Sequence, residues 1–167
     1  RFVIISPSGE EKVQDFEFTG YKSATNNEME LYACIMALKE AMKLDLPTNV
    51  TKVVIQSDSR YVVDNYKKAM FEWPNTRWLT RDGRPVLNAN LWKKLVKYFQ
   101  KIRMIVEIKW VKGHSRSAHN KAADRLARAS ARTPLNKSLT YVSLRRKRTD
   151  KSVEVGSVEM NGQRITI

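Results

Sequence analysis

A single cysteine, Cys34, in 167 residues excludes an intrachain disulfide. That fits a reducing compartment, where free thiols persist. No run approaches the ~18 consecutive apolar residues that a membrane-spanning helix needs, so no membrane partner is expected. No secretory signal stands at the front. These absences lead to the expectation of a cytoplasmic protein. Internal repeats are also missing. The chain opens on Arg1 rather than Met and so reads as a piece of something longer.

Acidic residues are scarce as well: 17 against 31 basic ones, for a net charge of +14. The shortage is uneven. Residues 1–100 hold 15 basic and 12 acidic side chains, whereas residues 101–167 hold 16 and 5. Such an excess attracts a polyanion, most often nucleic acid, with a merely solubilising surface as the plainer alternative. The chain is otherwise equipped to fold. It is 42% hydrophobic with four tryptophans, too apolar to be disordered throughout. Its length fits one domain with an appendage.

Along the chain, residues 2–5 form a β-type run, and Pro7-Ser8-Gly9 makes a turn. Residues 12–18, with Val13, Phe16 and Phe18 apolar, read as the second strand of a hairpin. Thr25-Asn26-Asn27-Glu28 is a capping box that opens a helix running to about Leu44. Leu31, Ile35, Leu38 and Met42 fall at helical spacing and make its core stripe. Residues 52–57 read as a buried strand that ends at Asp58, and a helix follows to about Met70. Ligands of open α/β sheets bind at that end of the strands. Residues 71–90 read as an irregular basic excursion with exposed aromatics, and a helix starts near Asn88 or Asn90. Residues 104–111 form a strand, followed by a loop with His114 and a helix that bears Asp124 and ends near Arg132. Beyond it, residues 139–145 and 153–160 are β-like, and Asn161-Gly162 is a strong hairpin signal.

Three carboxylates stand in apolar company: Glu30 beside Met29 and Leu31, Asp58 at a strand end, and Asp124 amid alanines and leucine. Hard oxygen ligands with clustered negative charge are what paired Mg²⁺ ions require. Each carboxylate singly has a plainer explanation. Glu30 could be a first-turn acid favoured by the helix dipole. Asp58 could be an N-cap. Asp124 could pair with Arg125 or Arg128. Sequence spacing alone does not bring the three together.

Three strings in order, TNNEMEL, DSRYV, and VKGH followed by ADRLA, resemble the motifs of ribonuclease H, type 1. The stretch RWLTRDGRPVLNANLWKKL resembles that family's basic protrusion and its next helix. The resemblance covers residues 2 to about 131. It implies an α/β fold, ribonuclease H-like, with a mixed five-stranded sheet flanked by helices. Residues 1–132 would form this domain and residues 133–167 a basic β-rich extension.

The resemblance further implies a Mg²⁺-dependent endonuclease that hydrolyses the RNA strand of an RNA–DNA hybrid. Two Mg²⁺ ions, for which Mn²⁺ can substitute, would be held by Glu30, Asp58 and Asp124. His114 would handle protons or product release. Thr25, Asn26 and Asn27 would face the substrate, where hydroxyl and amide groups distinguish RNA from DNA by the 2′-OH. Asn120 would also contact substrate. Lys67, Lys68, Arg77, Arg81 and Arg84, with Trp73 and Trp78, would track the backbone by charge and stacking. For the tryptophans, local packing is the alternative. His119 matches no family position and is assigned to the surface.

Departures from the family pattern bear on substrate handling. Ser115-Arg116-Ser117 stands where a second glycine is usual, Arg60 where glutamine is frequent, and Lys121 where an acid is common. The family's fourth carboxylate, on a central first strand, would fall before Arg1. Thr149-Asp150-Lys151-Ser152 is the one similar string, and its setting after Arg145-Arg146-Lys147-Arg148 is unlike a buried strand. The expectation is therefore two half-sheets with unpaired inner edges. A second reading is a binding module that keeps the fold and the basic surface without hydrolysis. A third is a DNA transposase or integrase-like member of the same fold.

Overall fold

The computed structural model describes residues 1–6, 8–44, 50–113 and 117–132, and the backbone of two further strands, 157–160 and 163–166. The first pair of strands, β1 (Phe2–Ile5) and β2 (Glu11–Gln14), is antiparallel, with Val3 opposite Val13. β2 is shorter than its sequence pattern: it stops at Gln14, and Phe16 and Phe18 lie beyond it. They bury part of their surface through rings. Phe16 meets Phe2 edge-on at 5.2 Å, and Phe18 stacks on Phe16 at 6.3 Å. Aromatic contact, not ladder pairing, explains their spacing.

Helix α1 (Asn26–Ala41) begins at the capping box. The Thr25 hydroxyl accepts the Glu28 amide at 3.3 Å, and Glu28 Oε2 accepts the Thr25 amide at 2.7 Å. Leu31, Ile35 and Leu38 are fully buried, but Met42 is not: it is the C-cap, 43% exposed. Tyr32, Cys34, Met36 and Ala41 are buried as well, so α1 is apolar on most sides. A helix of that kind sits inside a core rather than on its surface.

Strands β3 (Lys52–Ser57) and β4 (Ile105–Trp110) pair in parallel, from Lys52 opposite Ile105 to Ser57 opposite Trp110. A parallel pair needs a long crossover. It is supplied by α2 (Arg60–Phe71) and α3 (Ala89–Lys101). Ile55 and Ile108 join α1, Val62 of α2, and Leu91, Trp92 and Leu95 of α3 in one core. The opposite face of the pair leaves Val54 and Ile105 exposed.

The mixed character of the sheet is present, as one antiparallel and one parallel pair. Among the described residues β1 pairs with β2 and β3 with β4, and no ladder joins the pairs. The five-stranded sheet thus appears as two half-sheets, each with an edge that has no described partner. Helix α4 (Ala118–Arg132) follows β4. Its C-terminal turns lie against residues 18–20: the Ser130 hydroxyl donates to the Phe18 carbonyl. Gly20 makes this possible, since a Cβ there would stand 2.6 Å from the Ser130 carbonyl oxygen. His119, expected at the surface, keeps its side chain partly exposed at the start of α4, with Nε2 3.2 Å from Glu11 Oε2. Strands β5 (Ser157–Met160) and β6 (Gln163–Thr166) form the antiparallel pair that Asn161-Gly162 signals. The expected strand at 139–145 lies outside the described residues.

Candidate active site

Asp58 follows the last residue of β3, and α2 begins two residues later. The N-cap of α2 is Ser59, whose hydroxyl accepts the Val62 amide at 3.4 Å. Asp58 is therefore not the cap. Its carboxylate is exposed at the strand end. The Trp110 indole N–H donates to the Asp58 carbonyl at 3.3 Å. The loop after β4 then brings Gly113 against the carboxylate: a Cβ on Gly113 would lie 2.9 Å from Asp58 Oδ2. Only glycine lets the backbone pass that close without moving Asp58.

Glu30 lies past the first turn of α1, where the acid is Glu28, so the helix dipole does not account for it. Glu30 is half-buried, and burial is the largest cause that raises its proton affinity above the ordinary 4.5. The negative charge of Asp58 pushes the same way, a hydrogen bond with Ser57 opposes it, and Asp124 adds a smaller push. Carboxylates from α1, the end of β3 and α4 thus share one electrostatic neighbourhood. The buried Cys34 thiol, one turn beyond Glu30, is pushed up to about 12 by burial and then by Glu30. It stays protonated and is no ligand near neutral pH.

Does this neighbourhood suit a divalent cation? The donors are hard oxygens, and a cation would relieve the repulsion that raises Glu30. In that chemical sense the set fits. Among the described residues, however, no three such side chains stand at metal-holding spacing. Asp124 is half-buried and lines a cavity of about 360 Å³ with Lys121, Arg125, Arg128, Ala129 and Arg132.

The other candidate residues fall into three groups. Thr25, Asn26 and Asn27 gather at the start of α1, with Thr25 already engaged in the cap. Lys67 and Lys68 are exposed on α2, and Lys68 Nζ donates to Asn65 at 3.4 Å. Arg77, Arg81 and Arg84 are exposed on the excursion, and Arg84 pairs with Asp82 at 3.1 Å. The tryptophans there are not the exposed aromatics expected. Trp73 lies 5.5 Å from the fully buried Trp92 and 6.1 Å from Trp78, and Lys93 sits over Trp78 at 5.4 Å. Apolar surface of that size packs locally when neighbouring rings are available. Asn120 is half-buried, and its Nδ2 has no hydrogen-bond partner among the described residues. His114 lies outside them.

Four features escaped sequence reasoning. Ser57 supports Glu30, Gly113 abuts Asp58, and the Arg60 guanidinium stacks 3.9 Å from the centre of the Trp110 ring. The fourth is Tyr61, whose hydroxyl donates to the Leu87 carbonyl and accepts from Asn88 and Trp92, fastening the excursion to α2. Gly113 carried a signal, a glycine directly before the candidate histidine. The others carried none, because each depends on a partner distant in sequence.

The family model for RNase H matches residues 3–132. Ribonuclease H of Proteus mirabilis is 37% identical over 130 residues, which are 78% of this chain and 77% of the relative. Ribonuclease H of an Enterobacter species is 39% identical over 122 residues, 73% and 74% of the two chains. Among solved structures, the type 1 enzyme LC9-RNase H1 matches with a TM-score of 0.53 and 31% identity, over 66% of this chain and 50% of that one. The solution structure of the PFV RNase H domain matches in fold, with a TM-score of 0.59 at 22% identity over 78% of each chain.

Proposed function

The chain belongs to the type 1 ribonuclease H family, and from that membership we propose that it hydrolyses the RNA strand of RNA–DNA hybrids. One observation carries the reading to this chain's own residues. Glu30 of α1 feels the negative charge of Asp58 at the end of β3 and, more weakly, of Asp124 on α4. Structural acids are seldom crowded in this way, because crowding costs stability.

We assign Glu30, Asp58 and Asp124 as the groups that hold two divalent cations, Mg²⁺ or Mn²⁺. Such ions, when bound, supply Lewis acidity and an activated water for in-line attack on phosphorus. The chain's own part is to place and tune the carboxylates. Ser57 orients Glu30, and Gly113 leaves Asp58 room at the strand end. By the family motif, His114 holds or moves a proton during the reaction. Thr25, Asn26 and Asn27 meet the hybrid near its 2′-hydroxyls, with Asn120 as a further contact. Lys67, Lys68, Arg77, Arg81 and Arg84 draw in the backbone by charge, and the outer edges of Trp73 and Trp78 lie beside them. Residues 1–132 form the nuclease unit, and residues 133–167 add a basic appendage.

The test compares magnesium-dependent cleavage of a labelled hybrid with that of duplex DNA of the same sequence. Hybrid should be cut and duplex DNA spared. Asp58→Asn should abolish cleavage with hybrid affinity nearly intact, since it removes a metal ligand and not a phosphate contact. Near-normal turnover in this variant would remove Asp58 from the site. The second reading, a binding module without hydrolysis, draws on the lack of a three-ligand cluster among the described residues. Hybrid binding without magnesium-dependent cleavage would select it.

A further inference from the structure

Helix α4 carries charge that the candidate site does not use. Lys121, Arg125, Arg128 and Arg132 recur every three or four residues, which puts them on one helix face. All four are exposed, and all line the cavity that also contains Asp124. Asp124 is the one acid of the helix. The field of Asp15 reaches Arg125. Lys121, Arg128 and Arg132 make no ion pair with any described residue.

Folding alone does not favour this row. Like charges three or four residues apart on a helix repel, and a single acid, Asp124, offsets only part of the repulsion among four cations. The helix dipole welcomes cations in the last turn, which covers Arg132 but not Lys121 or Arg125. An anionic ligand would offset the repulsion. From Lys121 to Arg132 the row spans about 16 Å, comparable to the rise of about five nucleotides of one strand. A linear polyanion suits it better than a single small anion. A membrane-surface helix would place bulky apolar side chains beside such cations. Among the described residues, Ala129 is the only apolar side chain that lines the cavity. The row also adjoins Asp124, so a strand held at the carboxylates would continue onto it.

We propose that this face of α4 is a docking surface for the sugar–phosphate backbone of a nucleic-acid strand that runs on past the carboxylates. The proposal rests on the nuclease reading for the identity of the polymer. It adds a second contact zone, separate from the basic excursion between α2 and α3.

The experiment measures binding of the full chain, in chelator so that nothing is cut, to a short hybrid and to the same hybrid extended on both sides. The variants are Lys121→Gln/Arg125→Gln/Arg128→Gln/Arg132→Gln and the milder Arg125→Gln/Arg128→Gln, with helix content checked by circular dichroism. The fourfold variant should lose at least tenfold in affinity for the extended hybrid and little for the short one. Its log–log salt slope on the extended hybrid should flatten by up to about 0.9 per lost contact. The milder variant should show a smaller change of the same kind. Equal loss on both lengths, or no loss on either, overturns the proposal. So does polyglutamate displacing the extended hybrid from the parent but not from the variant as readily as unlabelled hybrid does, which would point to an acidic protein partner. Length-dependent binding by a chain that never cleaves hybrid would sink the nuclease reading and leave the docking surface standing.

Discussion

At the scale of single residues, Glu30 and Gly113 carry opposite lessons about stability and function. The folded pKa of Glu30 is raised above its ordinary 4.5, so the folded state holds this proton more tightly than the unfolded chain does. The linked stability is fully present below that ordinary value and is lost as pH rises through the raised folded one. At neutral pH without metal, the ionised carboxylate therefore weakens the fold. Glu30→Gln should melt a few degrees above the parent at pH 7 in chelator, converge with it in acid, and fail to cleave. An unchanged melting temperature would mean that the crowding of carboxylates is not felt. Gly113 is the reverse case. Its substitution meets the far end of the flexible Asp58 side chain, at 2.9 Å, and no rigid backbone. Gly113→Ala should leave thermal unfolding nearly unchanged and slow hybrid cleavage by roughly 10²-fold, as a displacement of about 1 Å at a reacting centre does. Full activity in this variant would show that the position of Asp58 is not critical.

At the scale of elements, the excursion between α2 and α3 is held from within. Tyr61 fastens it to α2, and Trp73, Trp78 and Trp92 pack together beneath it. Arg77 and Trp78 both take left-handed backbone conformations, with φ of 55° and 63°. Non-glycine residues rarely do so, and such strain persists only where the surroundings enforce it. The result is a firm platform with arginines outward. Replacing Arg77, Arg81 and Arg84 by Ala should weaken hybrid binding and flatten its log–log salt dependence by about 0.9 or less per lost phosphate contact. A titration of affinity against salt measures this. An unchanged slope would assign the attraction to the charge in residues 101–167, the α4 face included.

For the whole molecule, the division of the strands into two pairs matters most. β1 and β3 each have an edge without a described partner. Unpaired strand edges recruit other chains, and buried unpaired backbone groups cost about 1–3 kcal/mol each. Residues 1–167 made alone should therefore melt at a lower temperature, and cleave less, than a chain extended upstream by a strand that bears an aspartate. Side-by-side thermal unfolding and hybrid cleavage decide it. If the shorter chain melts as cooperatively and cuts as fast, the edges need no partner.

The sequence by itself determined whatever rests on near neighbours. The Thr25–Glu28 capping box, the Leu31–Ile35–Leu38 stripe, the placing of Asp58 at a strand end and the charge excess were all legible, because each depends on residues a few positions apart. The family was legible too, through three ordered motifs. Tertiary structure alone decided whatever needs distant partners. It brought Glu30, Asp58 and Asp124 into one field and gave the cap of α2 to Ser59. It set Gly113 against Asp58 and Arg60 over Trp110, and it packed Trp73 between Trp78 and Trp92. Phe16 and Phe18 passed for a strand because alternation shows that a residue is half-buried, not what buries it. Met42 kept the helical spacing, but the helix ended one residue earlier, at Ala41. Periodicity is a property of a segment, while burial and charge crowding belong to the packed whole, where parts far apart in the chain share one low-dielectric space.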